Sequence, residues 1–454
     1  MLDFKLIKTF LFTCVLGATN GCVPLFNNLK TETQDNLLLE AEIEIAEAID
    51  AKRPKISPPK NVNFQSAMIK NVLAAVKKDP NYTLAVISEA EALSMVSVAE
   101  SGAKPQISGT AVLGEVAEFS SPTIRSQGAR LGLTLSQLIF DGGDTASSIE
   151  LEKINYLTAI SQTKNTANEL ALQLATEIVR YSSATQRQSL LEKKIDLLDS
   201  MVTRMSKMVS NGLIDKSSLD AAYKQVSEFD IELTKMILEK KGLEISLRKS
   251  FTGPSKSLFY DLKSLSFLET WPVGAWSDDL LLHQSALSVL KAEKNLLKAK
   301  AQNKPTFSFE AGASSPLEKN KDSSVNIGLR ANYIFGDGGR RAATIDAATK
   351  KYEASKKSLA ATKEKSELKF RTAFQRFDSA KKTRSLTNKK INLLVNELET
   401  ANAQLSTGRS QFSQIVDMEI ALYRTEDQQL KNLAEIYEVR LLLAQISDTL
   451  IVLN

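Results

Sequence analysis

The sequence predicts a mainly α chain with transmembrane β-strands, built from two structural repeats of helix, β-hairpin, long helix and helix. Three observations carry the prediction. A segment recurs at one offset, short stretches of period-two hydrophobicity end at Asp-Gly-Gly, and long stretches of helical periodicity without proline or glycine follow them.

The repeat sets the organisation. Asp141-Gly142-Gly143 returns 196 residues later as Asp337-Gly338-Gly339, and Gly132-Leu133 returns as Gly328-Leu329. Downstream, Ile195, Leu198, Val202, Met205 and Val209 fall on Ile391, Leu394, Leu398, Ala401 and Leu405, and Gly212 falls on Gly408. Upstream the offset slips to 200, where Pro105 matches Pro305. Extra length belongs in an exposed loop, which is expected at Gly114 to Arg125, with a shorter counterpart near Ser315 to Asp322.

The strands are read from alternation. Leu131, Leu133 and Leu135 face one way, and Gly132, Thr134 and Ser136 the other. In the second copy Val325, Ile327, Leu329, Ala331 and Tyr333 alternate with Asn326, Gly328, Arg330 and Asn332. The partner strands, Ile107 to Leu113 and Phe307 to Ala313, alternate more weakly. The strands are expected at about 105–113, 129–140, 305–313 and 324–335.

Behind each Asp-Gly-Gly the period becomes helical. Thr145 to Asn211 and Arg340 to Thr407 contain no proline and no glycine. Each predicts one helix (145–211 and 340–407) of about 100 Å at ~1.5 Å per residue. Leu191, Ile195, Leu198, Val202, Met205 and Val209 step by four and three residues, the seam of a coiled coil. Gly212 and Gly408 end these helices in turns, and shorter helices follow at 216–250 and 413–451. Repeat 1 thus runs over 61–251 and repeat 2 over 278–454, joined by a linker at 252–277 that carries Gly253-Pro254 and Trp271-Pro272.

The N-terminus has the pattern of a secretion signal over residues 1–21: Lys5 and Lys8, then an apolar stretch from Thr9 to Ala18. Cys22 follows Gly21 as in a bacterial lipobox and is the expected lipidation site. Cys14 falls inside the signal, which leaves one cysteine and no internal disulfide. Residues 22–60, acidic and then proline-rich, form an extension or tether. No other run approaches the ~20 apolar residues of a spanning helix, so insertion is expected through strands.

Composition excludes several functions. A net charge of +5, with basic and acidic residues interleaved along the helices, offers no phosphate-tracking stripe and no nucleic-acid surface. One histidine, His283, and one cysteine after the signal give little material for a metal site or a nucleophilic triad. Asp278-Asp279 reads as helix capping and not as a catalytic pair. Gly142-Gly143 lacks the lysine of a phosphate cradle. No cofactor is expected, and the chain is not expected to be an enzyme.

Physical constraints then narrow the architecture. Four strands of about ten residues can cross a bilayer but cannot close a barrel, and lipid forbids an open sheet edge. The sheet must therefore join a shared barrel: three copies supply twelve strands around a lumen, whereas two supply eight around a largely filled interior. The charged long helices must project into water as a tube.

At this point the chain resembles the TolC-type outer-membrane efflux proteins over roughly Asn61 to Ile451. The resemblance rests on Leu135-Ser136-Gln137-Leu138-Ile139-Phe140-Asp141-Gly142-Gly143 and its echo Ile334-Phe335-Gly336-Asp337-Gly338-Gly339. It implies a homotrimer with a twelve-stranded barrel in the outer membrane of a Gram-negative bacterium, in contact with outer-membrane lipid, continued by an α-helical periplasmic tunnel. It implies as partners a periplasmic adaptor (membrane fusion) protein and an inner-membrane transporter, in a tripartite efflux pump or a type I secretion system. In that family a periplasmic gate follows the second helix turn; Asp417 matches its inner aspartate, and Gln414 occupies a position often acidic in relatives. The competing reading is a secreted or periplasmic coiled-coil protein without a pore, which explains the helices and leaves the alternating strands unexplained.

Overall fold

The computed structural model describes residues 67–118, 124–251, 260–316, 323–405 and 411–451, with backbone alone at 114–118 and 124–129. The expected signal segment, Cys22, the tether 22–60 and the turn glycine Gly408 lie outside the described residues. Two compact units are formed. One draws on Ala90–Ala159 and Ser285–Leu359, the other on Pro54–Glu89, Ile160–Gln284 and Ala360–Asn454.

The element order is α1 (Ala67–Val76), α2 (Pro80–Ser101), β1 (Gln106–Glu118), β2 (Ile124–Phe140), α3 (Asp144–Ser210), α4 (Lys216–Ser250), α5 (Leu280–Ala301), β3 (Thr306–Pro316), β4 (Ser324–Asn332), α6 (Arg340–Leu405) and α7 (Phe412–Ile446). The single helix expected before the first strand is two. Pro80 enters α2 at its first position, where its missing N–H costs nothing, and Asp79 accepts from Asn81 N at 2.8 Å.

In the first unit the strands form one antiparallel sheet in the order β1-β2-β3-β4. Its register reproduces the offsets read from the sequence: Gln106 pairs with Ser136, and Thr306, 200 residues on, pairs with Asn332, 196 residues on. The two hairpins are therefore equivalent residue by residue. The loop expected at Gly114 to Arg125 is shorter than the sequence implies, because Gly114 to Glu118 continue to pair with Gly128 to Ile124 and satisfy their backbone groups in the ladder.

Strand pairing brings the separate alternations onto common faces. Ile107 lies opposite Leu135, Leu133 opposite Ala313, and Phe309 opposite Leu329. One face is apolar across all four strands and open to solvent in the single chain: Leu113 is 84% exposed, Val325 75% and Leu329 73%. The other carries Ser108, Thr110, Thr134, Ser308 and Asn326. On it Arg330 and Glu310 form a cross-strand ion pair at 2.7 Å.

The second unit holds two apolar cores. In the first, α1 packs Met68, Val72 and Val76 against Ala171 to Val179 of α3 and Ile436 to Ile446 of α7. A 3₁₀ segment, Leu262–Thr270, inserts Leu262, Leu265 and Leu268 into it with no exposure, so the expected linker is in part a core element. Arg440 Nε donates to the carbonyl of Trp271 at 2.7 Å, and Trp271 Nε1 donates to Thr449 O at 3.1 Å. The helix expected at 413–451 ends at Ile446, because Ser447 caps it and Asp448 takes a left-handed φ of 49°.

The second core is the predicted seam. Leu191, Ile195, Leu198, Val202 and Met205 of α3 meet Leu219 and Phe229 of α4 and Phe412, Ile415, Val416 and Tyr423 of α7. One helix departs from expectation: α2 is long and apolar enough to cross a membrane by length and composition, with Leu84, Ile87, Met95 and Val98 exposed in the single chain.

Candidate functional site

Two local constructions carry the residues singled out above. The first is the strand-to-helix junction, built twice. Asp141 Oδ1 accepts from Gly143 N at 2.9 Å and Oδ2 from Thr145 N at 2.6 Å; Asp337 does the same with Gly339 N at 3.1 Å and Arg341 N at 3.0 Å. Each aspartate thereby satisfies the orphan N–H groups at the start of a very long helix, where the dipole favours negative charge. Burial works to raise the Asp141 carboxyl, but bonds from the Thr145 side chain and from the Thr145, Gly143 and Asp144 backbone outweigh it and hold the group below its ordinary value. For Asp337 the backbone N–H of Arg341 is the main cause of a similar depression, against an opposing effect of burial.

The paired glycines supply the backbone geometry. Gly142 and Gly143 have φ of 72° and 99°, and Gly338 and Gly339 of 66° and 87°, where side chains are strained. Two residues beside them, Lys304 and Arg341, were not marked by the sequence. Lys304 Nζ donates to Gly142 O at 3.1 Å, and Arg341 Nε reaches Asp337 Oδ2 at 2.8 Å. Phe140 and Phe307 pack with ring centroids 6.2 Å apart, and Tyr333 and Phe335 at 4.9 Å. Phe335 is 92% exposed.

The second construction lies at the α3–α4 and α6–α7 ends. Gly212 has φ 69°, with Leu213 N bonded to Met208 O at 2.9 Å, closing α3 in a left-handed cap. Asp215 caps α4 through Ser218 N at 2.8 Å; bonds from Ser217, then Ser218, hold its carboxyl down at about 2. Asp417 and Gln414 are both exposed on α7, one turn apart. Asp417 lines a cavity of about 610 Å³ with Gln225 of α4, Thr387 and Lys390 of α6, and Arg424 and Gln428 of α7. Of the two cations that share this cavity, Lys390 comes from α6 and Arg424 from two turns further along α7, and neither was legible in the motif.

Just beyond, α7 is fastened to α3 and α4. Arg187 Nε meets Asp427 Oδ1 at 2.5 Å, Lys194 Nζ meets Glu419 Oε2 at 2.6 Å, and Tyr423 donates to Glu232 at 3.1 Å. Burial and the nearby Asp427 and Glu232 carboxylates push the Tyr423 phenol far above its ordinary value, so it remains a donor. Asp278 and Asp279 are held by hydrogen bonds within the fold: Asp278 accepts from Ala275 N and Asp279 from Leu281 N and Ser366 Oγ. Among the described residues no group of histidine, cysteine and carboxylate side chains could hold a metal ion.

The fold so described is that of outer-membrane channels, a likeness that extends over most of the chain. CusC, solved in work on folding and transmembrane channel formation, superposes with a TM-score of 0.73 at 15% identity, covering 86% of this chain and 95% of its own. The outer-membrane protein VceC from Vibrio cholerae gives 0.73 at 12% identity, covering 85% and 97%. The CmeC outer-membrane channel of Campylobacter jejuni gives 0.72 at 11% identity, covering 85% and 86%. No protein-family model and no curated protein matches the chain by sequence. At the level of fold, the resemblance to TolC-type proteins holds.

Proposed function

We propose that the chain is the outer-membrane exit duct of a tripartite efflux pump or a type I secretion system, a homotrimer that conducts its cargo passively. The single observation that supports this most is the sheet. A face apolar across four strands, opposite a face with polar groups and an Arg330–Glu310 pair, is built for lipid on one side and water on the other. A soluble protein would leave that face as an unexplained patch, and a charge on it at the bilayer midplane would cost roughly 2–4 kcal/mol.

Among the described residues neither edge strand, β1 or β4, pairs with a further strand, and on this reading other copies complete the barrel. In the trimer the exposed apolar residues of α2 are covered by subunit packing and not by lipid. The long helices α3 and α6 extend the barrel through the periplasm, and Asp417 and Gln414 face the constriction at its far end, where an adaptor and an inner-membrane transporter dock. Lipidation at Cys22 would add an anchor.

Single-channel conductance of the detergent-purified protein in planar bilayers, with oligomer mass measured on the same sample, tests the reading. Trimers that conduct are the expected outcome. A non-conducting rod that stays soluble without detergent would overturn it in favour of the coiled-coil alternative.

A further inference from the structure

The two strand-to-helix junctions are alike in their own backbone and different in what covers them. A Cβ built on Gly142 would lie 2.6 Å from Lys304 Cβ and 2.9 Å from the carbonyl of Ala301; one built on Gly338 meets nothing within 4 Å. Lys304 closes the first junction, and the second stands open. Yet the chain contains a second copy of the closing piece. Lys104 precedes Pro105 as Lys304 precedes Pro305, and the two turns match in their hydrogen bonds: Lys104 N to Ser101 O at 3.0 Å, and Lys304 N to Ala301 O at 2.9 Å.

The open junction ends β4 and the spare lysine precedes β1, the two unpaired edges of the sheet. Within the chain, β2 runs into the closed junction and pairs with β3, which follows Lys304. β4 and β1 are the repeat equivalents of β2 and β3, as the hairpin registers establish. We infer that β4 of one subunit pairs with β1 of the next in the register of the internal β2–β3 interface, and that Lys104 of the partner subunit closes the Gly338 junction as Lys304 closes Gly142. This rests on the homotrimeric reading above and names the contact that assembles it.

The register follows residue by residue. Leu135 pairs with Ala311, so Ala331 meets the partner's Ala111; Leu133 pairs with Ala313, so Leu329 meets the partner's Leu113. A separate check comes from the faces. Ala331 and Leu329 lie on the apolar face, and so do Ala111 and Leu113, whereas a slip of one residue would turn the partner's apolar stripe to the polar side. A head-to-tail contact of this kind closes a ring when the same step repeats.

Cysteine pairs in the full-length, detergent-purified protein test the register, because directly opposed antiparallel residues lie about 4.5–5.5 Å apart at Cα, within disulfide reach. Ala111→Cys with Ala331→Cys, and independently Leu113→Cys with Leu329→Cys, are expected to convert most of the chain into covalent dimers and trimers on oxidation. Val112→Cys with Ala331→Cys, on opposite faces, is expected to give none, and each single variant controls for the native cysteines. Lys104→Gln is expected to lower the temperature at which the oligomer separates while leaving the helical circular dichroism unchanged. A trimer that cross-links through the Val112 pair and through neither predicted pair would overturn the register and leave the homotrimer standing. A monomer by mass would overturn both.

Discussion

The Nζ of Lys304 donates to the carbonyl of Gly142 at 3.1 Å, across 162 residues of sequence, and ties the foot of the first long helix to the turn that starts the second hairpin. The contact is possible because Gly142 has no side chain and takes φ of 72°. Gly142→Ala should therefore suffer twice, from left-handed strain of about 1–2 kcal/mol and from collision with Lys304 and Ala301 O. Gly338→Ala carries the strain without the collision inside its own chain. Thermal unfolding of the separated monomer should show the larger loss for Gly142→Ala, about 2–4 kcal/mol against about 1–2, whereas in the trimer the partner's Lys104 should bring the two losses together. Equal losses in the isolated monomer would contradict the contact.

Much of this construction was open to reading in the sequence, and the reasons differ by element. The heptad Leu191, Ile195, Leu198, Val202, Met205 was legible because a coiled-coil seam is local, and the Asp-Gly-Gly junctions because left-handed turns demand glycine. The strand over Gly114 to Glu118 was not, since alternation weakens there and ladder pairing alone defines it. Leu262, Leu265 and Leu268 were hidden between Gly253-Pro254 and Trp271-Pro272, where proline and glycine suggest a connector. Lys304 at Gly142, and Lys390 in the cavity that Asp417 lines, are placed by tertiary structure that no motif spacing records.

Asp448 gives the second unit a pH dependence. Burial above all, with Asp278 and Asp279 nearby, raises its carboxyl to about 6, against the opposing effects of Asn168, whose Nδ2 donates to Asp448 Oδ1 at 2.5 Å, and Lys164. Below about pH 4 the carboxyl is protonated in both states and costs nothing. As pH rises toward about 6 the unfolded chain ionises first, near its ordinary value of about 3.9, so stability falls across that window and stays reduced above it, by about 3 kcal/mol. Asp448→Asn tolerates the left-handed backbone and keeps the Asn168 bond. It should raise the thermal midpoint at pH 7.5 and flatten the dependence between pH 4 and 6, whereas an unchanged slope would remove Asp448 as its source.

Arg187 and Asp427 form a pair with side chains 13% and 6% exposed, fastening α3 to α7 one helical stretch beyond Asp417. Removing one member of a buried pair typically costs about 3–5 kcal/mol because the other is left uncompensated. Here Lys431 Nζ also reaches Asp427 at 2.6 Å and softens the loss. Arg187→Ala should cost about 2–3 kcal/mol. With Asp427→Asn added, much of that loss should return, since the stranded charge is gone. A strictly additive double variant in thermal unfolding would mean that the two residues do not act as a pair.

Asp417 is the sharper test of function, because its surroundings argue for a particular direction. It is exposed on α7 and shares its cavity with Lys390 and Arg424. Three carboxylates brought together in a trimer would attract multivalent cations, as charged rings in a pore do, but two cations per subunit in the same cavity oppose that field. Block of conductance by a multivalent cation should therefore be weak in the native protein. Asp417→Ala should weaken it further, and Lys390→Ala with Arg424→Ala should strengthen it by about tenfold, the ratio for 1.4 kcal/mol of relieved repulsion. Planar-bilayer recordings over a cation titration would measure all three. If block is indifferent to both changes, Asp417 is an ordinary surface charge near a helix start and the constriction lies elsewhere on the tunnel.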